Sequence, residues 1–252
     1  MIESSSLALY IHLHHANYRE DLSFWLDLAR QQGDPILEQG CGSGRVLIPL
    51  SKAGYRVYGL DKDRHSLALL KGFAGHHASM SIVQADMTAL PLGLLFSLVI
   101  MPCNTYTTLT KQERLSTLQE VYRCLRPGGL FAASLPNPTA LEEAPPRAEP
   151  ELEEVVRHPI DGSPIQVSSA WNRSGKVFTL AWYYDHLLPD GRVERLSAQT
   201  THYLVPMQTY LEEFDRTGFN SIVMFGDFDH SPYSHESPYL IFVAAKKAKP
   251  TI

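Results

Sequence analysis

The sequence predicts a doubly wound α/β fold, in which a mostly parallel seven-stranded sheet carries an antiparallel β insertion. Three observations predict it: short apolar runs alternate with helical patterns up to residue 135, two long alternating segments then meet at a Pro-Asp-Gly turn, and strand patterns return near the C-terminus. Strands that alternate with helices form βαβ units and parallel sheets. We therefore divide the 252 residues into an N-terminal helical segment and core (1–135), a β-rich insertion (136–205) and a closing part of the core (206–252).

The first helix is predicted over residues 19–32. Apolar Leu22, Trp25, Leu26 and Ala29 recur there at the spacing of one helix face, and Gly33 follows. The same reasoning, with glycine and proline as stops, gives the rest of the core. Its strands are predicted at 35–38, 56–60, 81–84, 95–101, 130–135, 221–225 and 239–245, and its further helices at 45–53, 64–73, 111–125 and 206–218.

The insertion is predicted to contain a β-hairpin. Segments 176–188 and 192–204 alternate polar and apolar residues around Pro189-Asp190-Gly191, which is a strong turn signal. On the first segment one face carries Phe178, Leu180, Trp182, Tyr184, His186 and Leu188. Ordinary packing of one sheet face explains this pattern, and a lid over a ligand explains it as well. Residues 136–165, which are rich in proline and glutamate, are expected to form an excursion or mobile loop.

Composition excludes several classes of function. The net charge of -5 and the scattered basic residues argue against a nucleic-acid binder. No apolar run approaches the roughly 20 residues that cross a bilayer, and the N-terminus lacks a signal peptide, so we expect a cytoplasmic protein. Three cysteines imply no disulfide framework. We also expect no metal, because the histidines at 12, 14, 15, 76 and 77 match no metal-binding spacing.

The most informative stretch is the glycine-rich loop Glu38-Gln-Gly-Cys-Gly-Ser-Gly44, which links a strand to a helix. Glycines allow backbone to approach a ligand closely, and a helix N-terminus favours a carboxylate or phosphate. The dinucleotide fingerprint G-x-G-x-x-G fails from both Gly40 and Gly42, and no Lys-Ser/Thr pair follows for a P-loop. The loop therefore predicts a ligand site that is neither of these.

Carboxylates follow neighbouring strands of the same sheet. Asp61 ends the second strand, where a carboxylate can accept hydrogen bonds from both ribose hydroxyls, and with the glycine loop beside it we favour nucleoside binding over a helix cap. Asp86 follows the third strand, where its carboxylate could either accept a hydrogen bond from an adenine amino group or cap a helix. Glu38 lies at the carboxyl edge of the sheet and is expected to face the ligand crevice.

These motifs together resemble class I S-adenosylmethionine-dependent methyltransferases, including amino-sugar and glycine-type N-methyltransferases. Ile36–Gly44, Gly59-Leu-Asp61, Asp86-Met87 and Arg126-Pro-Gly-Gly129 match four motifs of that family in order. The resemblance implies a Rossmann-like fold, S-adenosylmethionine as cofactor and S-adenosylhomocysteine as product. It also implies cofactor contacts from Tyr18, Glu38, Gly40, Cys41, Gly42, Gly44, Asp61, Lys62, Asp86, Met87 and Met101.

The acceptor side is less defined. Methyl transfer from a sulfonium is a displacement that alignment of the nucleophile can catalyse, with a base where the acceptor must lose a proton. Candidates to touch the acceptor or act as that base are Tyr18, Asn104, Tyr184 and His202, although an asparagine after a strand is more often a turn former. Tyr10 of the N-terminal segment is a further candidate for the lid.

The leading functional hypothesis is a methyltransferase for a small-molecule nitrogen or oxygen nucleophile, with no nucleic acid or membrane as partner. A protein or RNA methyltransferase, and a protein that binds the cofactor without turnover, remain alternatives; the failed fingerprint disfavours a nicotinamide oxidoreductase. Residues 166–205 are expected to govern acceptor recognition, and the edge strand of the hairpin could pair two copies as a homodimer.

Overall fold

The computed structural model describes residues 2–75 and 79–248 and builds a three-layer α/β core. His76 and His77, two of the histidines considered above as metal ligands, lie outside the described residues. None of the helices in the described ranges is long and apolar enough to cross a membrane. The core helices are α1 (Ile2–His15), α2 (Leu22–Gln32), α3 (Leu47–Lys52), α4 (Arg64–Ala74) and α5 (Lys111–Cys124). The core strands before the insertion are β1 (Ile36–Gln39), β2 (Val57–Asp61), β3 (Met80–Gln84), β4 (Phe96–Met101) and β5 (Leu125–Pro136).

A second group of elements follows β5. The insertion comprises α6 (Pro138–Glu143), β6 (Arg147–Arg157), β7 (Pro164–Ser174), β8 (Val177–Leu187) and β9 (Val193–Tyr203). The chain then returns to the core through α7 (Met207–Thr217), β10 (Phe219–Phe225) and β11 (Tyr239–Lys246). The predicted seven core strands are confirmed. Helices α2 and α3 are each three residues shorter than predicted, since α2 begins at Leu22 and α3 spans Leu47–Lys52, and α5 and α7 differ from the prediction by one residue at their ends.

The core sheet has the strand order β10-β11-β5-β4-β1-β2-β3, with β11 antiparallel to both of its neighbours. The order reverses between β1 and β4, which pair in parallel, so loops after these strands diverge to opposite faces. Such a switch point opens a crevice at the carboxyl ends of the strands. Two apolar clusters fill the two faces of the sheet, one around Phe131 and Phe214 and the other around Trp25 and Leu47. The crevice is therefore set on a rigid, fully packed support.

The insertion forms a four-stranded antiparallel meander in the order β6-β7-β8-β9. The predicted hairpin is confirmed, because β8 and β9 pair from Val177↔Tyr203 to Leu187↔Val193. The prediction of a loop or excursion over residues 136–165 was wrong, since α6, β6 and the start of β7 lie there. Its prolines stand where regular structure tolerates them: Pro138 at the first turn of α6, and Pro150 at a register shift of the edge strand β6.

Helix α1 lies between the two sheets. Tyr10 packs with Val156, Ile165, Val167 and Tyr184 in a third cluster, which attaches the helix to the inner face of the meander. On the core side His12 stacks on Phe73 with ring centroids 4.3 Å apart, and its Nδ1 lies 2.8 Å from Ser43 Oγ in the glycine-rich loop. The helix and the meander thus close over the crevice.

Candidate active site

The glycine-rich loop has a conformation that only glycine adopts easily. Gly40, Gly42 and Gly44 have φ values of 72°, 49° and 90°. A Cβ at Gly42 would meet no protein atom within 4 Å, whereas at Gly44 it would lie 2.3 Å from Leu70 Cδ1. Gly42 therefore faces open crevice, while Gly44 serves the packing of the loop on α4. Asp61 holds the loop in place, because the Gly42 N–H donates to its Oδ2 at 2.8 Å.

Glu38 lies at the base of the crevice as a buried carboxyl group. It is 3% exposed and its Oε2 has no hydrogen-bond partner among the described residues. Burial raises the pKa of Glu38 to about 8, against the lowering effect of Arg45. Arg45 is itself committed to Asp21, to which it donates at 2.5 and 2.6 Å. An unpaired buried carboxyl is costly, so this group fits a ligand that carries an ammonium, as the methionine end of the implied cofactor does.

The other predicted cofactor residues line a neighbouring cavity of about 370 Å³, which contains Gly40, Asp61, Lys62, Asp86 and Met87. Asp61 already accepts from two backbone N–H groups, those of Gly42 and Asp63, both at 2.8 Å. Asp86 Oδ1 accepts from the backbone N–H and hydroxyl of Thr88, so it caps the turn that follows β3. These carboxylates are fixed in orientation before any ligand binds.

Two predicted cofactor residues contribute to the core instead of the crevice surface. Met101 is fully buried in the cluster beneath the end of β4 and lines neither cavity. Cys41 borders the larger cavity but is only 4% exposed, and its sulfur would lie 2.8 Å from a Cβ at Gly59. Burial strongly raises the pKa of this thiol. Both side chains therefore pack in the core, Met101 in the cluster around Phe131 and Cys41 in the cluster around Trp25.

The chain after β4 forms a tight turn at the mouth of the crevice. Cys103 and Asn104 have φ values of 58° and 60°, and a short 3-10 helix (Thr105–Thr108) follows. Asn104 lines both cavities, with no side-chain cap bond to this helix. This backbone conformation suits asparagine, which tolerates positive φ better than most residues. Asn104 thus both forms the turn and borders the two cavities.

His202 of β9 lines the smaller cavity, and its tautomer follows from its neighbours. Thr107 Oγ1 donates its only proton to the Asn104 carbonyl at 2.6 Å. The contact of 2.7 Å between Thr107 Oγ1 and His202 Nδ1 must therefore have Nδ1–H as the donor. The unprotonated Nε2 is left as a proton acceptor, and burial lowers the pKa of His202 so that the ring is neutral at pH 7.

A larger cavity of about 720 Å³ extends from Glu38 to the inner face of the insertion. At its far side stand the carboxylates of Glu153 and Glu154, together with Trp182, which also lines the smaller cavity. The register of β6 on β7 shifts between Leu152 and Glu154, so Glu153 is an extra residue in the pairing. Such a bulge lets two consecutive side chains face the same way. Ser169, an inward residue of β7, donates to Glu153 Oε1.

Few positively charged groups lie near Glu153 and Glu154. Glu154 Oε1 is buried without a hydrogen bond, and its nearest partner is His14 Nε2 at 3.9 Å. Burial lowers the pKa of His14, while burial and then Glu153 raise that of Glu154. Within residues 2–75 and 79–248 no lysine or arginine forms an ion pair with either glutamate. A cation that entered this part of the cavity would relieve their mutual repulsion.

The predicted tyrosines occupy different positions. Tyr18 lines the larger cavity, with its hydroxyl 3.1 Å from that of Tyr239 and the Arg45 guanidinium 5.0 Å from its ring. Tyr184 is fully buried behind the cavity wall, 3.3 Å from His14 Nδ1, and burial raises its pKa. The Tyr10 hydroxyl is hydrogen-bonded to His186 Nδ1, and Tyr10 lines neither cavity. Among these three only Tyr18 is placed to touch a ligand.

Sequence reasoning missed His14, His15, Glu153 and Glu154, all of which line the larger cavity. The glutamates were hidden in the segment interpreted as a loop. A bulge leaves no signature in the sequence, so the position of the glutamates could not be predicted. Helix α1 has no periodic apolar face, so the sequence does not show which of its side chains point inward. The only available signal was the adjacent glutamate pair itself.

Comparison with known proteins places this geometry in context. The family described as "Methyltransferase domain" matches residues 36–129. A provisionally named methyltransferase of Geobacillus sp. (strain WCH70) is 24% identical over 229 residues, covering 86% of each chain. A solved S-adenosylmethionine-dependent methyltransferase from Clostridium acetobutylicum is similar in fold, with a TM-score of 0.78, 10% identity and coverage of 95% of this chain and 97% of that one. The sugar N-methyltransferase KedS8 from Streptoalloteichus gives a TM-score of 0.76 at 18% identity, covering 95% and 91%.

Proposed function

Because the chain is a class I S-adenosylmethionine-dependent methyltransferase, we propose that it methylates an amine nitrogen of a small molecule. One observation carries the proposal: a single cavity joins Glu38, at the cofactor end, to the glutamate pair 153–154 and Trp182. An amine arrives as an ammonium ion, which two carboxylates and an indole face attract. The similar fold of a sugar N-methyltransferase supports an amine acceptor.

The residues have separate roles in this proposal. Glu38 and the loop at Gly42 would hold the methionine end of the cofactor, and Asp61 the ribose. When bound, the cofactor supplies an electrophilic methyl group on a sulfonium. Trp182 and helix α1 line the cavity, where they would keep water from the bound reactants and so favour displacement at the methyl carbon.

His202 is proposed as the base. It lines the smaller cavity, which adjoins the larger one at His15, Asn104 and Trp182, so the amine would meet His202 where the two cavities join. A protonated amine has no lone pair for attack, so it must lose a proton before the methyl group is transferred. The Thr107–Asn104 relay keeps the His202 proton on Nδ1, which leaves Nε2 able to accept that proton. The product amine leaves with one methyl group more, and the proton passes to solvent.

The test is a methylation assay on matched pairs of acceptors. The protein is incubated with S-adenosylmethionine and small amines, including amino sugars, beside the alcohols of the same skeleton. S-adenosylhomocysteine and the methylated product are measured by mass spectrometry. We expect amines to be methylated and the alcohols to be inert. Methylation of the alcohols alone would refute the nitrogen acceptor, and cofactor binding without S-adenosylhomocysteine would indicate a binding protein.

Variants locate the acceptor within the cavity. Replacing both Glu153 and Glu154 with glutamine should raise the KM for an amine at least tenfold, because two charges, each worth about 1 kcal/mol, are lost. The Kd of the cofactor should stay within a few-fold. Glu149→Gln, an exposed change on the same strand that lines neither cavity, is the control. Equal effects of the control and the double variant would remove the glutamate pair from the acceptor site.

A further inference from the structure

A cluster of metal-binding side chains lies outside the cavities, at the end of the insertion sheet next to α1. It consists of His158 and Asp161 from the turn between β6 and β7, and His186 from β8. One donor atom of each residue lies within 4.8 Å of the other two. No metal was expected from the sequence, because the histidines at 12, 14, 15, 76 and 77 match no metal-binding spacing. His158 and Asp161 are separated along the chain from His186 by most of a hairpin. Only the pairing of β7 with β8, which puts Ile165 opposite His186, brings them together.

The spacing of the donors suits a small divalent ion. His158 Nδ1 lies 3.0 Å from Asp161 Oδ1, and His186 Nε2 lies 3.4 Å from Asp161 Oδ2. Ligands at the bond lengths of zinc, on the corners of a tetrahedron, are about 3.3 Å from one another. Two imidazoles and one carboxylate are ligands that zinc prefers. The two distances to the Asp161 carboxylate are thus close to those of a zinc site, and the histidine donors lie within 4.8 Å of each other.

Without an ion the polar atoms of the cluster are satisfied unequally: Asp161 Oδ1 accepts from the backbone N–H and the hydroxyl of Ser163, and both ring nitrogens of His186 have partners. His158 Nδ1 is buried and has no hydrogen bond, despite its approach to Asp161. His186 Nε2 lies 2.6 Å from Ser163 Oγ, and its Nδ1 lies 2.9 Å from Tyr10 Oη. If a metal took the lone pair of Nε2, the ring proton would reside on Nδ1 and donate to Tyr10. Such an outer hydrogen bond orients metal-bound histidines.

We propose that His158, Asp161 and His186 form a zinc site that clamps the insertion sheet onto helix α1. Ser163 Oγ or a water completes the coordination. Tyr10, bonded to His186, connects the metal to α1, whose His14 and His15 line the acceptor side of the larger cavity. The metal takes no part in methyl transfer: none of its three ligands lines either cavity. It fixes the relative position of two elements that cover the crevice.

The proposal is tested by titrating the chelator-treated, tag-free protein with Zn²⁺ in a calorimeter, and with Co²⁺ by visible absorption. We expect one equivalent of Zn²⁺, a tetrahedral Co²⁺ spectrum, and a rise of several degrees in Tm at saturating Zn²⁺. Asp161→Asn and His158→Gln, both at partly exposed positions, should weaken Zn²⁺ binding by about tenfold or more. His235→Ala, an exposed histidine far along the chain, is the matched control.

Two results would overturn the site. One is the absence of stoichiometric Zn²⁺ binding to the unaltered protein. The other is binding that Asp161→Asn and His158→Gln leave unchanged, because the ion would then sit on other histidines. A hydrogen-exchange measurement tests the clamp: Zn²⁺ should slow exchange of α1 amides in the unaltered protein and not in Asp161→Asn. Zn²⁺ binding without added protection of α1 would refute the clamp.

Discussion

Binding of S-adenosylmethionine should release a proton from Glu38. The buried carboxyl has a pKa of about 8 in the cofactor-free protein, so at pH 7 about 0.9 of the molecules carry the proton. An ammonium placed against the unpartnered Oε2 favours the carboxylate and lowers that pKa well below 7. The expected release from Glu38 is therefore about 0.9 proton per cofactor at pH 7, about 0.5 at pH 8, and close to none at pH 10.

Calorimetric titrations in buffers of different ionisation enthalpy measure this number. Glu38→Gln provides the control, because it keeps the shape of the side chain and removes its titration. Any proton exchange that belongs to the cofactor itself persists in the variant, and the difference between the two proteins is the contribution of Glu38. The same number of protons released by both proteins at pH 7 would refute the placement of the ammonium against Glu38.

The same raised pKa fixes the sign of an effect on stability. Between the ordinary pKa of 4.5 and the folded value of about 8, the folded state holds a proton that the unfolded chain has lost. The contribution of Glu38 to the free energy of unfolding is thus present below pH 4.5 and declines by a few kcal/mol as the pH rises to 8. Urea denaturation of the cofactor-free protein should show this decline relative to Glu38→Gln. Parallel pH profiles would contradict it.

Five further substitutions test the site. Asp61→Ala should weaken cofactor binding by roughly 1.5–3 kcal/mol, which an unchanged Kd in calorimetry would disprove. Gly42→Val should abolish cofactor binding in a folded protein, and normal binding by this variant would show that the loop does not contact the cofactor. Gly44→Val should instead lower Tm, because its side chain would clash with Leu70 of α4. Trp182→Ala should raise the acceptor KM with cofactor affinity within a few-fold, and the reverse pattern would exclude a lid. His202→Gln should lower kcat about 10²-fold and remove the fall of kcat with decreasing pH below neutrality. An unchanged pH profile of kcat would show that another residue is the base.

The grouping of Glu38, Asp61 and the glycine-rich loop at one edge of the sheet could be predicted, because chain geometry forces these parts together. Glu38 and Asp61 end neighbouring parallel strands, and the carboxyl ends of such strands share one edge of the sheet. A short apolar run and a following glycine or carboxylate are local signals, so no long-range contact had to be guessed. Met101 shows the limit of this reasoning. It ends β4 at the same edge, but its side chain points into the core.

The acceptor half could not be predicted, since it depends on register. His202 of β9 stands opposite Phe178 of β8, and Trp182 of β8 opposite Ala198 of β9, so these side chains share one face of the sheet, from which His202 and Trp182 line the smaller cavity. A slip of one residue in this pairing would turn His202 to the outer face, away from Thr107. The Pro189-Asp190-Gly191 turn sets the register of β8 on β9. The bulge at Glu153 shifts the register of β6 on β7 by one residue. A changed turn or bulge would therefore alter the acceptor while leaving Glu38 and Asp61 in place, which lets acceptor specificity vary independently of cofactor binding.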